Sequence, residues 1–439
     1  MRVVMLAGNP LTYDGRVLRH AGALGEAGHE VVLLGVIGPN DEAVPLPDLA
    51  RLGGGRLRAY RLDRRRAGLV PRATWLGSAA RRHLAGWLVG LLGPQAPLAE
   101  LMVATCAVEL ALAAAWLGAD VYHANDLDTL VPACWAARLR GRPYIYDAHE
   151  LYADESPLLG SVERTARWQV EARLARGAGA VLTVNDLLAD ELARRYGIPR
   201  PVPVRNVPPL VALRPPGPGG EDPVDPACGA QPADGARPAD GIRPADGTRL
   251  ADGTLRLLLH GSWVGLEQPG VDTALRAVAR LPAARLTLRG GVRNPEALRA
   301  RLAELGISER VALRPRLPGA DALVRAAIAE QHDVGLSVHL PDCLSRRLAT
   351  SSKVFEYLMA GLVVVAAEQE GNRHILDERC ARFFRPGDDE ALARVLAGLA
   401  ADRGALLALQ RAARARAESE FCWEREQERL LGLYAGPRC

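Results

Sequence analysis

A chain of 439 residues is long enough for two or three domains with large cores. Its net charge of +4, with arginine spread along the whole length, excludes the one-sided basic field of a typical nucleic-acid binder. Seven cysteines with no CxxC pair and no metal-ligand spacing exclude a disulfide framework or a zinc module, and fit a reduced, cytoplasmic compartment.

The chain opens with an apolar run, Val3–Ala7, too short for a signal peptide. The loop "GNPLTYDGR" follows, then a helical pattern through Val17, Leu18, Ala21 and Leu24 closed by Gly28, then the apolar strand "EVVLLGV". This βαβ unit predicts a parallel sheet. The stretch 64–88 interleaves Arg64–Arg66, Arg72, Arg81 and Arg82 with Trp75, Leu76, Leu84, Trp87 and Leu88. It reads either as a surface for an anionic membrane or as the solvated face of a core helix. "LMVATCAVELALAAAWL", Leu101–Leu117, has Glu109 at its centre, which predicts a buried helix rather than a membrane span. Strands follow at "DVYHAN", "PYIYDAH" and "AVLTVN", with helices over Leu130–Arg140 and Val162–Arg176. Residues 1–205 thus read as one doubly wound α/β domain.

Residues 206–254 are dense in Pro and Gly and end in near-repeats of Pro-Ala-Asp-Gly-x-Arg. With almost no apolar side chains the repeats cannot bury enough surface to offset ordering, so this segment is expected to be a flexible linker. Strand and helix signals then alternate from "LRLLLHGSW" to "LVVVAAE", giving a second doubly wound domain over 255–420; a closing helix occupies 421–439. Two such domains place a ligand cleft between the carboxyl ends of their strands.

The chain contains one lysine, Lys353; every other residue of the basic count is arginine. It lies in "SSKVFEYLMAG", where a loop becomes a helix. Ser351, Ser352 and Lys353 combine free backbone N–H groups, the positive end of the helix dipole and a compact ammonium, which is an anion site.

The opening "GNPLTYDGRVLRHAGALGEAGHEVVLLG", the segments "VYHANDLDTL" and "YIYDAHELY", the run "SSKVFEYLMAGLVVVAAEQEGNRHI" and the closing "CWEREQERLLGLY" together resemble family 4 retaining glycosyltransferases of the GT-B fold, the subset with Asp-x-Arg-Val entering the first helix. The resemblance implies two Rossmann-like domains facing a central cleft and a last helix that returns to the N-terminal domain. It implies transfer of a sugar from a UDP- or GDP-linked donor to a glycan, lipid-linked or small-molecule acceptor, with no obligatory metal or other cofactor and no nucleic-acid partner. On it, Glu356 accepts hydrogen bonds from the nucleotide ribose and His149 stands by the donor sugar as the catalytic pair. Gly261, Ser351, Ser352, Lys353 and Arg347 serve the nucleotide. Gly8, Asp14, Arg16, Asn125 and Asp126 line the acceptor side, although Asp14 also reads as a helix cap. Peripheral attachment to the inner face of a membrane through 64–88 is compatible with it.

Two positions depart from the family pattern. Leu348 replaces the acid expected eight residues before Glu356, with Asp342 as a distant substitute. The loop after the first C-terminal strand, "HGSWVGLEQPGVD", has Pro269 where a lysine is expected, which leaves Lys353 and Arg346 or Arg347 to meet the diphosphate. These departures keep two other readings open: a catalytically weak GT-B binding or assembly protein, and a sugar-nucleotide epimerase.

Overall fold

The computed structural model describes residues 1–38, 52–63, 96–104, 106–211, 253–317 and 319–435, together with Leu49, Leu84, Trp87 and Val89. The repeat Pro232–Asp252 and nearly all of the basic stretch 64–88 lie outside the described residues.

Seven parallel strands form the first sheet: β1 (Arg2–Leu6), β2 (Glu30–Ile37), β3 (Leu57–Asp63), β4 (Val121–Asn125), β5 (Tyr144–Ala148), β6 (Ala180–Thr183) and β7 (Val202–Pro203). Their spatial order is β3-β2-β1-β4-β5-β6-β7. The helices are α1 (Gly15–Glu26), α2 (Ala96–Val103), α3 (Ala107–Leu117), α4 (Leu127–Arg140), α5 (Ser161–Gly177) and α6 (Asp186–Tyr196). The second sheet has order β10-β9-β8-β11-β12-β13. It comprises β8 (Leu255–Trp263), β9 (Ala284–Gly291), β10 (Val311–Arg314), β11 (Val334–Ser337), β12 (Val363–Ala367) and β13 (Ala381–Phe384), with α7 (Val271–Arg280), α8 (Pro295–Glu304), α9 (Ala320–Ala329), α10 (Leu344–Leu348), α11 (Ser352–Met359), α12 (Glu370–Ile375) and α13 (Asp389–Ala401). Then come α14 (Arg403–Glu420) and α15 (Trp423–Tyr434). Both sheets are parallel, and their central strands are apolar on both faces because helices cover both sides.

The expected single buried helix over Leu101–Leu117 is instead two helices, broken after Val103. The second presents Leu112 and Trp116 to solvent, with Trp116 85% exposed. Small alanines bury one face of α3, so nothing forces the opposite face inward. Among the described residues no helix is long and apolar enough to cross a membrane.

Strand order reverses between β1 and β4 in one sheet and between β8 and β11 in the other. Each reversal opens a crevice at the strand ends, where chains of this topology bind ligands. The loops after β1, β4 and β5 therefore face those after β8 and β11. Helix α15 crosses back to the first domain: Trp423 N donates to Pro208 O at 3.0 Å, and the Glu426 carboxylate accepts from the backbone and side chain of Arg205, both at 2.9 Å. One apolar cluster runs from Val17 and Leu24 on α1 through Val204, Val207 and Val211 to Phe421 and Leu430, and on to Phe355 and Tyr357 on α11.

Candidate nucleotide-sugar cleft

On the N-terminal side, chain direction delivers Asp147 from the last turn of β5 and Asp126 from the start of α4. Asp147 is fully buried and accepts from Arg16 Nε at 2.8 Å and Nη2 at 2.7 Å. Burial pushes its carboxyl up, but Arg16 and His149 outweigh that and hold it well below the usual range. His149 lies between two carboxylates, with Nδ1 2.8 Å from Asp126 Oδ1 and Nε2 3.2 Å from Asp147 Oδ2. Burial opposes its charge, yet Asp126 and Asp147 raise its pKa to about 10, so it is an imidazolium at neutral pH. Asp126 also accepts from Tyr152 Oη. Its backbone sits at φ 70°, ψ 164°, a conformation ordinarily left to glycine and costly for aspartate. That strain aims its carboxylate at His149.

This network corrects several expectations. Arg16 is 4% exposed; its fork is spent on Asp147 and its Nη1 on Val204 O at 2.5 Å, so it is not free to meet an anionic acceptor. Asn125 is fully buried and donates to Leu6 O at 2.9 Å, which ties β4 to β1 instead of lining the cleft. Asp14 caps α1, accepting from Val17 N at 3.1 Å and from Asn9 Nδ2 at 2.7 Å. Gly8 lies against Asp128: a Cβ there would stand 1.8 Å from Asp128 Oδ2. Donor atoms of His20, His123 and Asp147 lie within 4.8 Å of one another. Arg16 already holds both carboxylate oxygens, so the trio is a poor metal site.

On the C-terminal side the chemistry is different. Lys353, 8% exposed, stands at the first turn of α11 with its ammonium above Gly261, 3.6 Å from where a Cβ would be. Among the described residues no carboxylate comes within 4.0 Å of it, and burial lowers its pKa to about 8 although Glu356 opposes the shift. Glu356, one turn on, meets His260 Nε2 at 3.1 Å. Burial raises its pKa to about 7, against the charges of Arg19 and Lys353. His260 is kept neutral by burial and by Lys353, and its ring packs edge-on to Tyr357 with centroids 4.8 Å apart. Ser351 and Ser352 open α11 without a side-chain cap, leaving its first N–H groups to the cleft.

Two residues that the sequence reading missed belong here. His339, after β11, has its pKa lowered to about 3, first by Lys353 and then by burial and Arg346. Its Nδ1 is buried with no hydrogen-bond partner. Arg19 reaches Glu356 electrostatically from α1. No local motif marks either one; the signal lies in contacts between distant segments. Arg347, in contrast, turns away to Glu370 at 2.7 Å, and Arg346 is tied to Asp342, so neither Arg347 nor Asp342 reaches the expected ligand. Leu348 packs into the core of the N-terminal domain, and its carbonyl accepts from Asn185 Nδ2 at 2.8 Å. The loop carrying Pro269 is fixed by Gly270, whose φ of 95° and contact with Val338 O admit no side chain. A cavity of about 320 Å³ lined by Glu150, Glu155, Ser156, Ser345, Arg346 and Ala349 lies between the domains.

Residues 15–209 match the Glycosyl transferase 4-like domain, and residues 254–402 match Glycosyl transferases group 1. The chain is a glycosyltransferase of the GT-B fold. The fold is shared across its length with sucrose-phosphate synthase from Thermosynechococcus elongatus, at 17% identity and TM-score 0.65, covering 99% of this chain and 98% of that one. Anabaena HepE, solved in complex with UDP and glucose, is similar at 15% identity and TM-score 0.65, covering 99% and 100%. S. aureus TarM, solved with UDP among its ligands, is similar at 7% identity and TM-score 0.64, covering 99% and 100%. A search of curated proteins returns no match. In this glycosyltransferase the first matched segment covers β2–β7 and the second covers β8–β13, and the Pro/Gly-rich stretch falls between them.

Proposed function

We propose that this glycosyltransferase is a retaining, family 4 type enzyme that takes a hexosyl group from a UDP- or GDP-linked sugar. The observation that carries the reading is the Lys353 ammonium over Gly261 at the start of α11, one turn from Glu356 and with no carboxylate within 4.0 Å among the described residues. Helix N–H groups and an ammonium without a counter-ion form a diphosphate site, while two carboxylate oxygens on Glu356 suit the two ribose hydroxyls. The UDP in HepE and TarM supports the same donor chemistry.

In the reaction, the bond from the anomeric carbon to the diphosphate breaks and its electron pair leaves with the diphosphate. Lys353 and the α11 dipole stabilise that charge. The acceptor oxygen bonds to the anomeric carbon, and its proton passes to the departing diphosphate. His149, with both ring N–H groups turned to carboxylates, acts as a positioning residue that sets Asp126 at the cleft edge. The acceptor is a glycan or lipid-linked molecule approaching past Gly8, Asp126 and Asp128 from the cytoplasmic side. Domain limits at 205, 254 and 420 are part of this reading.

Calorimetric titration tests it. Lys353→Ala is expected to weaken UDP or GDP by about 1.5–3 kcal/mol, the range for a hydrogen bond to a charged group, while uridine or guanosine changes far less. Glu356→Gln should weaken nucleoside and diphosphate alike. A folded Lys353→Ala protein with unchanged affinity for both would overturn the assignment.

A further inference from the structure

The cavity of about 320 Å³ between the domains is not used by the donor reading. The segment after β5 gives it Glu150, Glu155 and Ser156, and α10 with the residue after it gives Ser345, Arg346 and Ala349. Ala349 precedes Ser352, the first residue of α11, by three positions. Two contacts between the domains fix these walls: Ser345 Oγ accepts from Leu151 N at 3.1 Å, and Cys343 Sγ donates to Glu155 O at 3.3 Å.

The charges around the cavity cancel in pairs and leave one over. Arg346 is held by Asp342. Glu155 accepts from Arg167 Nη1 at 2.5 Å. Asp126, whose field reaches Glu150, is paired with His149. Among the described residues the Glu150 carboxylate has no hydrogen bond and no ion pair within 4.0 Å. Burial, Glu155 and Asp126 together raise its pKa, against His149 and Arg346. The two serines add hydroxyls. Ser156 Oγ accepts from Leu158 N at 3.2 Å and Ser345 Oγ from Leu151 N, which leaves each O–H to donate. A volume of this order is that of a small-molecule site. A cation relieves a carboxylate held in excess negative charge, and a neutral sugar ring does not.

We propose that this cavity is a subsite for a protonated amine on the acceptor, with Glu150 as the residue that selects it. This rests on the glycosyltransferase reading above and adds the chemical class of the acceptor: a hydroxyl-rich amine such as an amino sugar. The ammonium pairs with the Glu150 carboxylate, and the serine hydroxyls donate to acceptor oxygens. Because both domains build the walls, the acceptor is gripped only when they are together.

Titration of the full chain near neutral pH with glucosamine, glucose and N-acetylglucosamine, with and without UDP, tests the proposal. Glucosamine should bind about tenfold tighter than the other two, the effect of one hydrogen bond to a charged group. Glu150→Gln keeps the shape and removes the charge. It should bring glucosamine to within about twofold of glucose while UDP affinity stays at the wild-type value. Glu150→Asp should recover part of the preference, and rising salt should weaken it in the wild type. If wild type binds glucosamine no better than glucose, or Glu150→Gln keeps the preference, the proposal is wrong. A wild type that binds UDP but shows no amine preference leaves the donor reading standing and removes only this subsite. A wild type that prefers the amine but binds no nucleoside diphosphate keeps the subsite and overturns the donor reading.

Discussion

The two walls of the cleft both bury charge, and they resolve it in opposite ways. On the N-terminal wall, Arg16, Asp147, His149 and Asp126 neutralise one another in a chain of short contacts, and Asp126, Asp147 and His149 are held charged against burial by their partners. On the C-terminal wall, Lys353 and Glu356 are pushed toward neutrality, to about 8 and about 7. His339 is left with an unpartnered nitrogen. An ion-paired network is scaffold; a wall whose ammonium has no carboxylate within 4.0 Å among the described residues is open to ligand charge and hydroxyls. The difference therefore separates residues that hold the fold from residues that hold substrate, a distinction that motif matching alone blurred.

The largest effect should come from breaking the ion-paired wall. Asp147→Ala strands a buried guanidinium, and chemical denaturation is expected to show a loss of about 3–5 kcal/mol. A loss under 1 kcal/mol would erase the contrast. The wall of Lys353 and Glu356 should instead show its state through pH. Lys353 must be charged to hold a diphosphate, and its free-state pKa is about 8. UDP affinity should therefore be full below pH 8 and fall by up to about tenfold per pH unit above it. Lys353→Arg should flatten that fall even if it binds less well. A wild-type affinity that stays level from pH 7 to 9.5 would count against an under-compensated lysine.

A smaller effect lies behind the first wall. His123 is fully buried and lowered to about 4 by burial, Arg16 and His149, and His20, stacked on Trp423, is lowered well below its ordinary value by burial and Arg16. Groups depressed in this way are neutral in the folded state and take up protons on unfolding below pH 6.5. Stability is thus present near pH 7 and lost as pH falls through 6.5 toward 4. His123 alone should contribute roughly 1–2 kcal/mol of loss between pH 7 and 5. His123→Phe should reduce that slope, whatever it does to stability at pH 7 through the lost Tyr434 contact. His149 has the opposite sign, since its raised pKa contributes stability up to about pH 10. The smallest effect is expected for deletion of Pro232–Asp252. The repeat has almost no apolar side chains to contribute to a core, and melting temperature and UDP affinity should stay within error.

Apolar runs and helix periodicity carried most of the architecture, because a parallel sheet buries its strands on both faces and writes that into sequence. Leu57–Asp63 and Ala381–Phe384 were missed. The first alternates arginine with apolar residues at a sheet edge, and the second is four residues long. The loop-to-helix junction that carries Lys353 and Glu356 was legible because such a junction is a local feature. Arg16 was misread because its partner, Asp147, lies 131 residues away. Arg19 and His339 passed unseen for the same reason. Leu348 looked like a lost acid because composition shows what a position lacks but not what it packs against.

Leu348 has a consequence for motion. It is 7% exposed, seated in the apolar core of the opposite domain. Beside it Ser345 Oγ accepts from Leu151 N at 3.1 Å, and Cys343 Sγ donates to the Glu155 carbonyl at 3.3 Å. Parting the walls means drawing a leucine out of a hydrocarbon seat into water, a step of about 1.5–3 kcal/mol, and breaking the polar latch around it. With Leu344, which packs on the same cluster, Leu348 is a doorstop: the two walls are held together by hydrocarbon that must be wetted before they can part.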